Sequence, residues 1–282
     1  MVLKLFPKSI LIAGERTRSR RGTVVMRRVH VLPCGHELDD KCVLTLLKGC
    51  GTKIKLPYYA YLIEDPECTV LVDTGLSIRW KELHPKVIQE LFPTHMEEQE
   101  HLDRLLESMG FSRSDVDYVI NTHLHYDHCG NNEMFPQATF LVSESELAHA
   151  FAPGWWEAPS YLRSVFDIPG LKYELVKEGF EIVRGVGITS TPGHSEGHQS
   201  VVVELDNTGT LVIAGDAIST RENLEDPILP GFYVDARQYA HSMDRLKGII
   251  ELHEGVLLPS HSREYLTKDG WKEFTDGVQS FT

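Results

Sequence analysis

The stretch Asn121-Thr-His-Leu-His-Tyr-Asp-His-Cys-Gly130 decides the fold, because it concentrates three imidazoles and one carboxylate within six positions. Directly before it, Tyr118-Val-Ile120 is a short β-prone run that predicts a buried strand, which would deliver the cluster to a loop at its C-terminal end. Neutral imidazole and carboxylate bind zinc, iron, manganese or cobalt, and clustered polar groups are costly to bury without partners. The stretch predicts a metal site, and its ligand candidates are His123, His125, Asp127 and His128.

Further candidate ligands follow predicted strands in the second half of the chain. Thr191-Pro-Gly-His194 follows one strand, Gly215-Asp216 another and Ser260-His261 a third. Metal-binding and catalytic groups sit on loops that rigid elements fix, so this recurrence favours one shared site. His194 and His198 cannot both be counted as ligands from the pattern, because a polar group close to a metal often only supports its ligands.

With His198 set aside, five histidines and two aspartates remain. One metal uses three or four ligands, whereas two metals that share a carboxylate use all seven. Two neighbouring cations can acidify a bridging water, supply hydroxide at neutral pH and polarise a carbonyl. The pattern therefore predicts a dinuclear hydrolytic centre with the ligands His123, His125, Asp127, His128, His194, Asp216 and His261.

Composition restricts the class of protein. At 282 residues, with 41% hydrophobic and 24% charged residues, the chain is typical of a globular protein with a sizeable core. No apolar stretch reaches the roughly 18 residues of a membrane span, so no membrane partner is expected. A formal net charge of -13 argues against a nucleic-acid partner. A small-molecule substrate is the expected partner.

The basic residues are concentrated at the start. Residues 1–28 hold eight Lys or Arg and one acid, which leaves 20 basic against 40 acidic residues in the remainder. We therefore separate a basic N-terminal extension, 1–28, from a hydrolase domain, 29–282. A solvated hairpin is favoured for the extension over an anion contact, a targeting arm or an organellar transit segment. Its central arginines are Arg16, Arg18, Arg20 and Arg21.

The cysteines predict a cytoplasmic location. Five cysteines, an odd number, without a recognisable secretory signal, are typical of reduced thiols. Cys34, His36, Cys42 and Cys50 have a spacing that fits no zinc-ligand pattern, so free thiols are favoured over a second metal site there. Cys129 is expected to pack behind the histidine-rich loop.

Hydrophobic runs predict two β-rich halves with helices outside them in one domain. Strands are predicted over residues 29–32, 58–63, 69–72, 118–120 and 139–142, then 180–183, 186–191, 200–205, 210–214 and 255–258, with a loop at 34–51. Helices are predicted from Leu102 to a C-cap at Gly110, from a capping box at Ser143 and Glu146 through Phe151, and from Asp235 onward.

Residues 151–166 are rich in aromatic side chains and are broken by Pro153, Gly154 and Pro159, which is typical of a loop or an irregular helix. Substrate pockets favour aromatic linings. We expect Trp155 and Trp156 to form a wall for an apolar substrate, with packing in the core as the alternative.

The metal-site motifs resemble those of the metallo-β-lactamase superfamily, carried by His123-Leu-His-Tyr-Asp-His128, Thr191-Pro-Gly-His194, Asp216 and His261. The resemblance implies an α/β (α+β) fold, an αββα sandwich with the dinuclear site at one edge. Over residues 29–265 the chain is most similar to the N-acyl homoserine lactone hydrolases, the quorum-quenching lactonases. This narrower resemblance rests on Leu56-Pro-Tyr-Tyr59 with Asp73-Thr-Gly75, on Gly193-His-Ser-Glu-Gly-His-Gln-Ser200, and on Asp216-Ala with Arg221-Glu-Asn-Leu-Glu-Asp226.

The resemblance implies a role for each ligand. His123, His125 and His194 hold the first metal, Asp127, His128 and His261 hold the second, and Asp216 bridges them. Zinc is favoured for both metals, with iron, cobalt or manganese as alternatives. His198 matches a position outside the ligand set. Related lactonases are often dimers, so a homodimer is expected.

Two positions depart from the family pattern. Related lactonases commonly place a tyrosine three residues after the bridging aspartate, where its hydroxyl assists at the substrate carbonyl, and Ser219 stands there in this chain. Ser219 is shorter, so Tyr233 or Tyr126 is a candidate substitute. Glu196 falls where a small residue or proline is frequent, which alters the mouth of the site.

The sequence thus predicts a dinuclear metal-dependent hydrolase that opens a lactone, an N-acyl homoserine lactone or a related ester, by attack of a metal-bridging hydroxide. Asp127 is expected to orient the nucleophile and to move its proton. The alternatives are a thioesterase resembling glyoxalase II and an iron-dependent sulfur dioxygenase with a mononuclear site. The C-terminal basic residues that a glutathione-like thiol needs are only scattered here, as Arg263, Lys268 and Lys272.

Overall fold

A computed structural model describes residues 26–282 of the chain. Eight helices lie in this range, and most are short because they only connect strands: α1 Trp80–Leu83, α2 Lys86–Leu91, α3 Leu102–Ser108, α4 Tyr126–Cys129, α5 Glu144–Phe151, α6 Arg163–Phe166, α7 Arg221–Glu225 and α8 Ala236–His253. The strands are β1 Arg28–Asp40, β2 Lys53–Glu64, β3 Thr69–Val72, β4 Thr94–His95, β5 Tyr118–Ile120, β6 Thr139–Ser143, β7 Lys172–Val176, β8 Glu181–Val183, β9 Val186–Ser190, β10 Gln199–Leu205, β11 Gly209–Ile213, β12 Val256–Leu258, β13 Glu264–Thr267, β14 Gly270–Glu273 and β15 Gln279–Phe281.

The strands form two mixed sheets. The first has the order β15-β1-β2-β3-β5-β6-β7, with β4 on the edge of β1, and its β3-β5-β6-β7 portion is parallel. The second has the order β14-β13-β12-β11-β10-β9-β8 and contains one parallel pair, β11 with β12. Parallel strands end at the same edge of a sheet, so the loops that follow β3, β5, β11 and β12 are brought to one rim.

The two sheets pack face to face, and helices cover the outer faces. Alternate residues of both sheets, among them Val70, Ile120 and Ile213, share the central core. The opposite face of the first sheet packs against α3, whose Leu102, Leu105 and Leu106 are buried. On the second sheet, α8 buries Tyr239, Met243, Leu246 and Ile250. The predicted αββα sandwich is confirmed.

Two helices begin as the sequence predicts. The Asp235 carboxylate accepts from the backbone N–H groups of Arg237 and Gln238 at the start of α8, and the Ser143 hydroxyl accepts from Glu146 N at the start of α5. The second half of the predicted capping box is wrong, however. The Glu146 carboxylate turns into the protein and accepts from other segments.

The first hairpin is longer than predicted. β1 continues to Asp40 and pairs with β2, which begins at Lys53, so the predicted loop at 34–51 is wrong over its first residues. The register shifts between Pro33 and His36, and Gly35 has a φ of +90°. This irregularity interrupts the alternation on which strand prediction depends. The C-terminal strands β13, β14 and β15 were not predicted, and β15 returns to pair with β1.

Only the end of the basic extension lies within the described residues. Arg27 pairs with the buried Asp65 and donates to the carbonyl oxygens of Arg184 and Glu204, and Arg28 begins β1. The Arg16, Arg18, Arg20 and Arg21 cluster lies outside the described range. Among the helices of residues 26–282, none combines the length and hydropathy needed to cross a bilayer.

Candidate metal centre

All seven predicted ligands lie at one rim of the sandwich. The loop after β5 and the short helix α4 carry His123, His125, Asp127 and His128. The other three follow β9, β11 and β12, as His194, Asp216 and His261. Each follows a strand whose inward residues are buried, so the sheet fixes the start of the loop.

Three ring nitrogens meet at the first half of the site. His125 Nδ1 lies 3.0 Å from His123 Nε2 and 3.0 Å from His194 Nε2. A ring nitrogen carries either one proton or one lone pair, so His125 Nδ1 can form a good hydrogen bond with only one of these two neighbours. Ligands about 2.0–2.1 Å from a tetrahedral zinc are roughly 3.3 Å apart. The observed spacing fits a shared cation better than a hydrogen-bond network.

Asp216 lies between the two halves of the site. Its Oδ2 is 3.2 Å from His194 Nε2, and its Oδ1 is 3.2 Å from His128 Nε2 and 3.2 Å from His261 Nε2. Asp127 Oδ2 completes the second half, at 3.4 Å from His128 Nε2 and 3.8 Å from His261 Nε2. The seven side chains form three overlapping groups with metal-ligand spacing.

Residues behind the histidines fix which ring nitrogen faces the site. Nδ1 of His128 donates to Asp73 Oδ2 over 2.8 Å, and Nδ1 of His261 donates to the Pro57 carbonyl oxygen over 2.9 Å. Nδ1 of His123 lies 3.0 Å from Thr122 Oγ1, which itself donates to Asp73. When these rings are neutral, Nε2 is the nitrogen that carries a lone pair, and it is directed at the site, as metal ligation requires.

Asp73 supports the cluster from behind, whereas the sequence analysis named it only within the motif Asp73-Thr-Gly75. Its carboxylate is buried and accepts from Thr122 N, Thr122 Oγ1 and His128 Nδ1. The Asp73 backbone has a φ of +56°, which is unfavourable for a residue with a side chain. In the sequence, the only indication of this role is that Asp73 directly follows the predicted buried strand at residues 69–72.

His198 lies behind Asp216. Its Nε2 accepts from Asp216 N over 2.9 Å, and its Nδ1 donates to Thr191 Oγ1 over 2.8 Å. Burial lowers the pKa of His198 to about 3, so the ring is neutral and can accept that hydrogen bond. Both ring nitrogens of His198 are therefore used in hydrogen bonds that support the loops carrying Thr191 and Asp216.

Electrostatics favour the protonation state that a metal requires in the first half of the site and oppose it in the second. Burial, reinforced by the neighbouring imidazoles, holds the pKa of His123 and of His125 well below the ordinary value. Burial alone would raise the pKa of Asp216, but His261, His128 and His194 hold it well below the usual range. Neutral imidazole and ionised carboxylate are the forms that bind divalent cations.

In the second half of the site, burial lowers the pKa of His128 and of His261, but the neighbouring carboxylates, chiefly Asp216, outweigh burial and raise both. A cation bound there would displace those protons.

The donor set therefore fits divalent metal. Within residues 26–282, the buried atoms without a hydrogen-bond partner include His128 Nε2 and Asp216 Oδ1, and both face the middle of the cluster. An unsatisfied buried acceptor is costly. A cation between these atoms would satisfy both.

Aromatic rings surround the metal centre. Tyr161 packs edge-on against His125 with ring centroids 4.7 Å apart, and Phe232 lies 5.6 Å from His125 and 5.8 Å from His194. On the other side, Tyr58 packs edge-on on His261 at 6.2 Å. The sequence analysis included Tyr161 in its aromatic stretch but did not single out Phe232 or Tyr58.

The predicted substrate-contacting residues lie at different depths. Trp155 and Trp156 are 86% and 55% exposed and contact each other edge-on. Ser219 is buried, and its side chain forms a hydrogen bond with Tyr239. Burial raises the pKa of Tyr239, and this hydrogen bond opposes the rise. Tyr233 packs edge-on against Tyr239 with ring centroids 6.5 Å apart. Tyr126 packs on His84 at 4.4 Å.

A buried acid lies beside the second half of the site. Glu37 on β1 accepts a hydrogen bond from the Tyr58 hydroxyl. Burial raises the pKa of Glu37 to about 8, and the negative charge of Asp127 contributes to the rise. Because the folded protein binds this proton more tightly than the unfolded chain, stability conferred by protonated Glu37 falls as the pH rises from about 4.5 through 8.

We expect the Glu37→Gln variant to gain stability over the wild type as the pH increases from 5 to 9. The amide keeps an acceptor for Tyr58 and has no proton to lose. Urea unfolding of chelator-treated protein at pH 5, 7 and 9 measures the difference, since a nearby cation would lower the pKa of Glu37 again. The exposed Glu144→Gln is the matched control. A stability difference that is constant across this range would refute the prediction.

The fold and the ligand set define a class of protein, and comparison with known families gives the same class. A model of the metallo-beta-lactamase superfamily matches residues 55–261, a range that includes all seven candidate ligands. The chain therefore belongs to the metallo-beta-lactamase superfamily.

Comparison with individual proteins indicates a narrower group within this superfamily. N-acyl homoserine lactonase AttM of Rhizobium radiobacter is 32% identical over 248 residues, covering 83% of this chain and 92% of that protein. An N-acyl homoserine lactonase of Bacillus cereus is 28% identical over 264 residues, covering 90% and 100%. The predicted similarity to this group of lactonases is confirmed. It favours the lactonase prediction over the thioesterase and dioxygenase alternatives.

Solved structures give the same result. An N-acyl homoserine lactone hydrolase with the product N-hexanoyl-L-homoserine at its catalytic metal centre is 27% identical. It superposes with a TM-score of 0.75 over 84% of this chain and 94% of that one.

Proposed function

We propose that this protein is a dinuclear metal-dependent lactonase that hydrolyses N-acyl homoserine lactones. The observation that carries the proposal is the position of Asp216, whose carboxylate lies between the two groups of histidines. Its Oδ2 is 3.2 Å from His194 Nε2 in the first group and 3.3 Å from His261 Nε2 in the second. Its Oδ1 is 3.2 Å from the Nε2 atoms of His128 and His261 in the second group. The named activities of its relatives supply the substrate class. Zinc is the proposed metal, because an imidazole-rich set with few carboxylates suits it.

The proposed ligand assignment follows the two groups. His123, His125 and His194 would hold the first cation, Asp127, His128 and His261 would hold the second, and Asp216 would be shared by both. Support comes from the 3.0 Å spacing of the first three nitrogens and from the orientation of His128 and His261 by Asp73 and Pro57.

When bound, two divalent cations supply a deprotonated water at neutral pH and stabilise negative charge on a carbonyl oxygen. The chain's own residues orient the reaction. Asp127 has a side chain 15% exposed at the rim, so it can reach both solvent and the reacting groups. We assign to Asp127 the transfer of a proton to the departing ring oxygen, a general acid/base role. His198 holds the Asp216 backbone so that its carboxylate keeps its orientation.

The proposed substrate contacts are of two kinds. Phe232 and Tyr161, which pack on the first group of histidines, exclude water next to the lactone ring. The exposed Trp155 and Trp156 are proposed contacts for the acyl chain, where burying an aromatic surface of this size is favourable. Ser219 and Tyr233 both lie next to Tyr239, whose hydroxyl donates to the Asp216 backbone, and they are proposed to shape the pocket floor.

A turnover assay on protein of known metal content tests the proposal. Opening a lactone produces a carboxylic acid, which releases one proton near neutral pH, so a weakly buffered indicator assay reports turnover. Mass spectrometry should find an N-acyl homoserine product. Thioester substrates serve as the comparison. The absence of lactone hydrolysis by fully metal-loaded protein would refute the proposal.

Two further parts of the proposal have separate tests. A cytoplasmic location is supported by the five free cysteines, and cell fractionation tests it. A homodimer is expected from the resemblance, and light scattering of the purified protein tests it.

A further inference from the structure

The carboxylate of Glu146 connects three separate segments around the metal centre. Glu146 is fully buried, and its Oε1 accepts from Leu124 N at 2.9 Å and from the Tyr161 hydroxyl at 3.2 Å. Its Oε2 accepts from Ser195 Oγ at 2.7 Å and from Gly197 N at 3.0 Å. One side chain therefore satisfies four donors that are distant in sequence.

Three of the four donors are next to a candidate ligand of the first cation. Leu124 lies between His123 and His125, and Ser195 directly follows His194. The ring of Tyr161 packs on His125 with centroids 4.7 Å apart. The two oxygens of one carboxylate are rigidly spaced, so the hydrogen bonds set the distance between the histidine-rich loop and the His194 turn.

The His194 turn is also seated directly on the start of α5. A Cβ on Gly197 would lie 2.2 Å from Glu146 N and 2.2 Å from Ser143 Oγ, so no other residue fits without displacement of the turn. This close approach brings Gly197 N and Ser195 within reach of the carboxylate. The turn is therefore held from two directions, by the contact at Gly197 and by the bonds to Glu146.

The inward orientation of Glu146 is unfavourable for helix α5 alone. At the third position of a helix after a serine cap, glutamate ordinarily accepts from the cap backbone, which stabilises the helix. Here the side chain is buried instead, and a buried carboxylate is costly unless it is fully hydrogen-bonded. An apolar side chain could fill the same space without the cost of burying a charge. The four hydrogen bonds that the Glu146 carboxylate accepts therefore indicate a role other than stabilising α5.

We propose that Glu146 is a positioning residue for the first cation, which holds the His194 turn and the His123–His125 loop at metal-ligand distance. The inference rests on the metal assignment of the proposed function. It assigns to Glu146 no contact with substrate. Outer residues of this kind typically change metal affinity by about 10- to 100-fold when replaced.

Glu146→Gln tests the inference with a nearly unchanged shape. The hydroxyls of Tyr161 and Ser195 can turn to accept from the new amide, but a backbone N–H cannot. Either Leu124 N or Gly197 N therefore loses its acceptor. The matched control is Glu157→Gln, because Glu157 is equally buried but bonds His149 and Gly154, neither of which is a candidate ligand or a donor to Glu146.

The readout is metal binding rather than turnover. Cobalt is titrated into chelator-treated protein and followed by its visible absorption, in competition with a chelator of known affinity. In Glu146→Gln we expect one of the two cobalt equivalents to bind about 10- to 100-fold more weakly, with the other equivalent and the Glu157→Gln control unchanged. Unchanged cobalt affinity in Glu146→Gln, or an equal loss in Glu157→Gln, would overturn the inference.

Ser195→Ala is a second variant that removes one of the four bonds and keeps the carboxylate. We expect a smaller weakening at the same cobalt equivalent. If Glu146→Gln does not fold, a folded Ser195→Ala with wild-type cobalt affinity overturns the inference. Failure of the proposed function is distinct, because it would appear as a wild-type protein that binds two cobalt ions and opens no lactone.

Discussion

Replacement of Asp216 by asparagine is expected to lower kcat/KM for lactone opening by about a thousandfold or more. Asp216 is the candidate ligand whose carboxylate lies within 3.2 Å of both groups of histidines. An amide offers one oxygen and no charge, so at least one half of the site loses its shared ligand. Metal catalysis of this kind contributes several kcal/mol, and each 1.4 kcal/mol or so is a factor of ten in rate.

The fold of the Asp216→Asn variant should survive. The Asp216 backbone keeps its bonds from the Tyr239 hydroxyl and to His198. Steady-state kinetics and metal content are measured together, with the exposed Asp244→Asn on α8 as the matched control. Activity of Asp216→Asn within tenfold of the wild type would show that Asp216 does not bridge.

Removal of metal is the second change with a large expected effect. A cation present at about 1,000 times its Kd stabilises the folded state by roughly 4 kcal/mol. In a chain of this size each kcal/mol moves Tm by about 2–4 °C. Chelation should therefore lower Tm by roughly 10 °C, because the buried His128 Nε2 and Asp216 Oδ1 are left without a partner.

Differential scanning calorimetry before and after chelation, and after zinc is restored, measures this effect. The matched control is the Asp216→Asn variant, in which the shift on chelation should be smaller because one shared ligand is already weakened. Equal Tm values for the chelated and zinc-loaded wild type would contradict a structural contribution of the metal.

The grouping of the seven candidate ligands could be predicted because each one follows a strand. A buried strand such as β5 is recognisable from its β-branched run, and the polar residues directly after it have few structural explanations other than function. The rim at which β3, β5, β11 and β12 end then brings residues as distant as His123 and His261 together.

The supporting residues could not be predicted, because their roles depend on tertiary geometry. Glu146 matches a capping box in sequence and turns inward only because the His194 turn supplies donors there. The φ of Asp73 and its bond to His128 depend on loops 55 residues apart. Phe232 lies in an irregular loop where no periodicity indicates which side chain faces the site.

The long first hairpin was missed for a different reason. The register shift at Pro33 and His36 removes the period of two from the sequence. It also hid Glu37, which lies on β1 beside the second half of the site and has a pKa raised by burial. Irregular strands near a site are therefore where sequence patterns give the least information.

Anomalous diffraction from crystals grown with zinc tests the central claim most directly. We expect two peaks at the zinc edge, one within ligand distance of His123, His125 and His194 and one within ligand distance of Asp127, His128 and His261, with Asp216 between them. A single peak at this rim, or peaks elsewhere on the protein, would contradict a dinuclear centre.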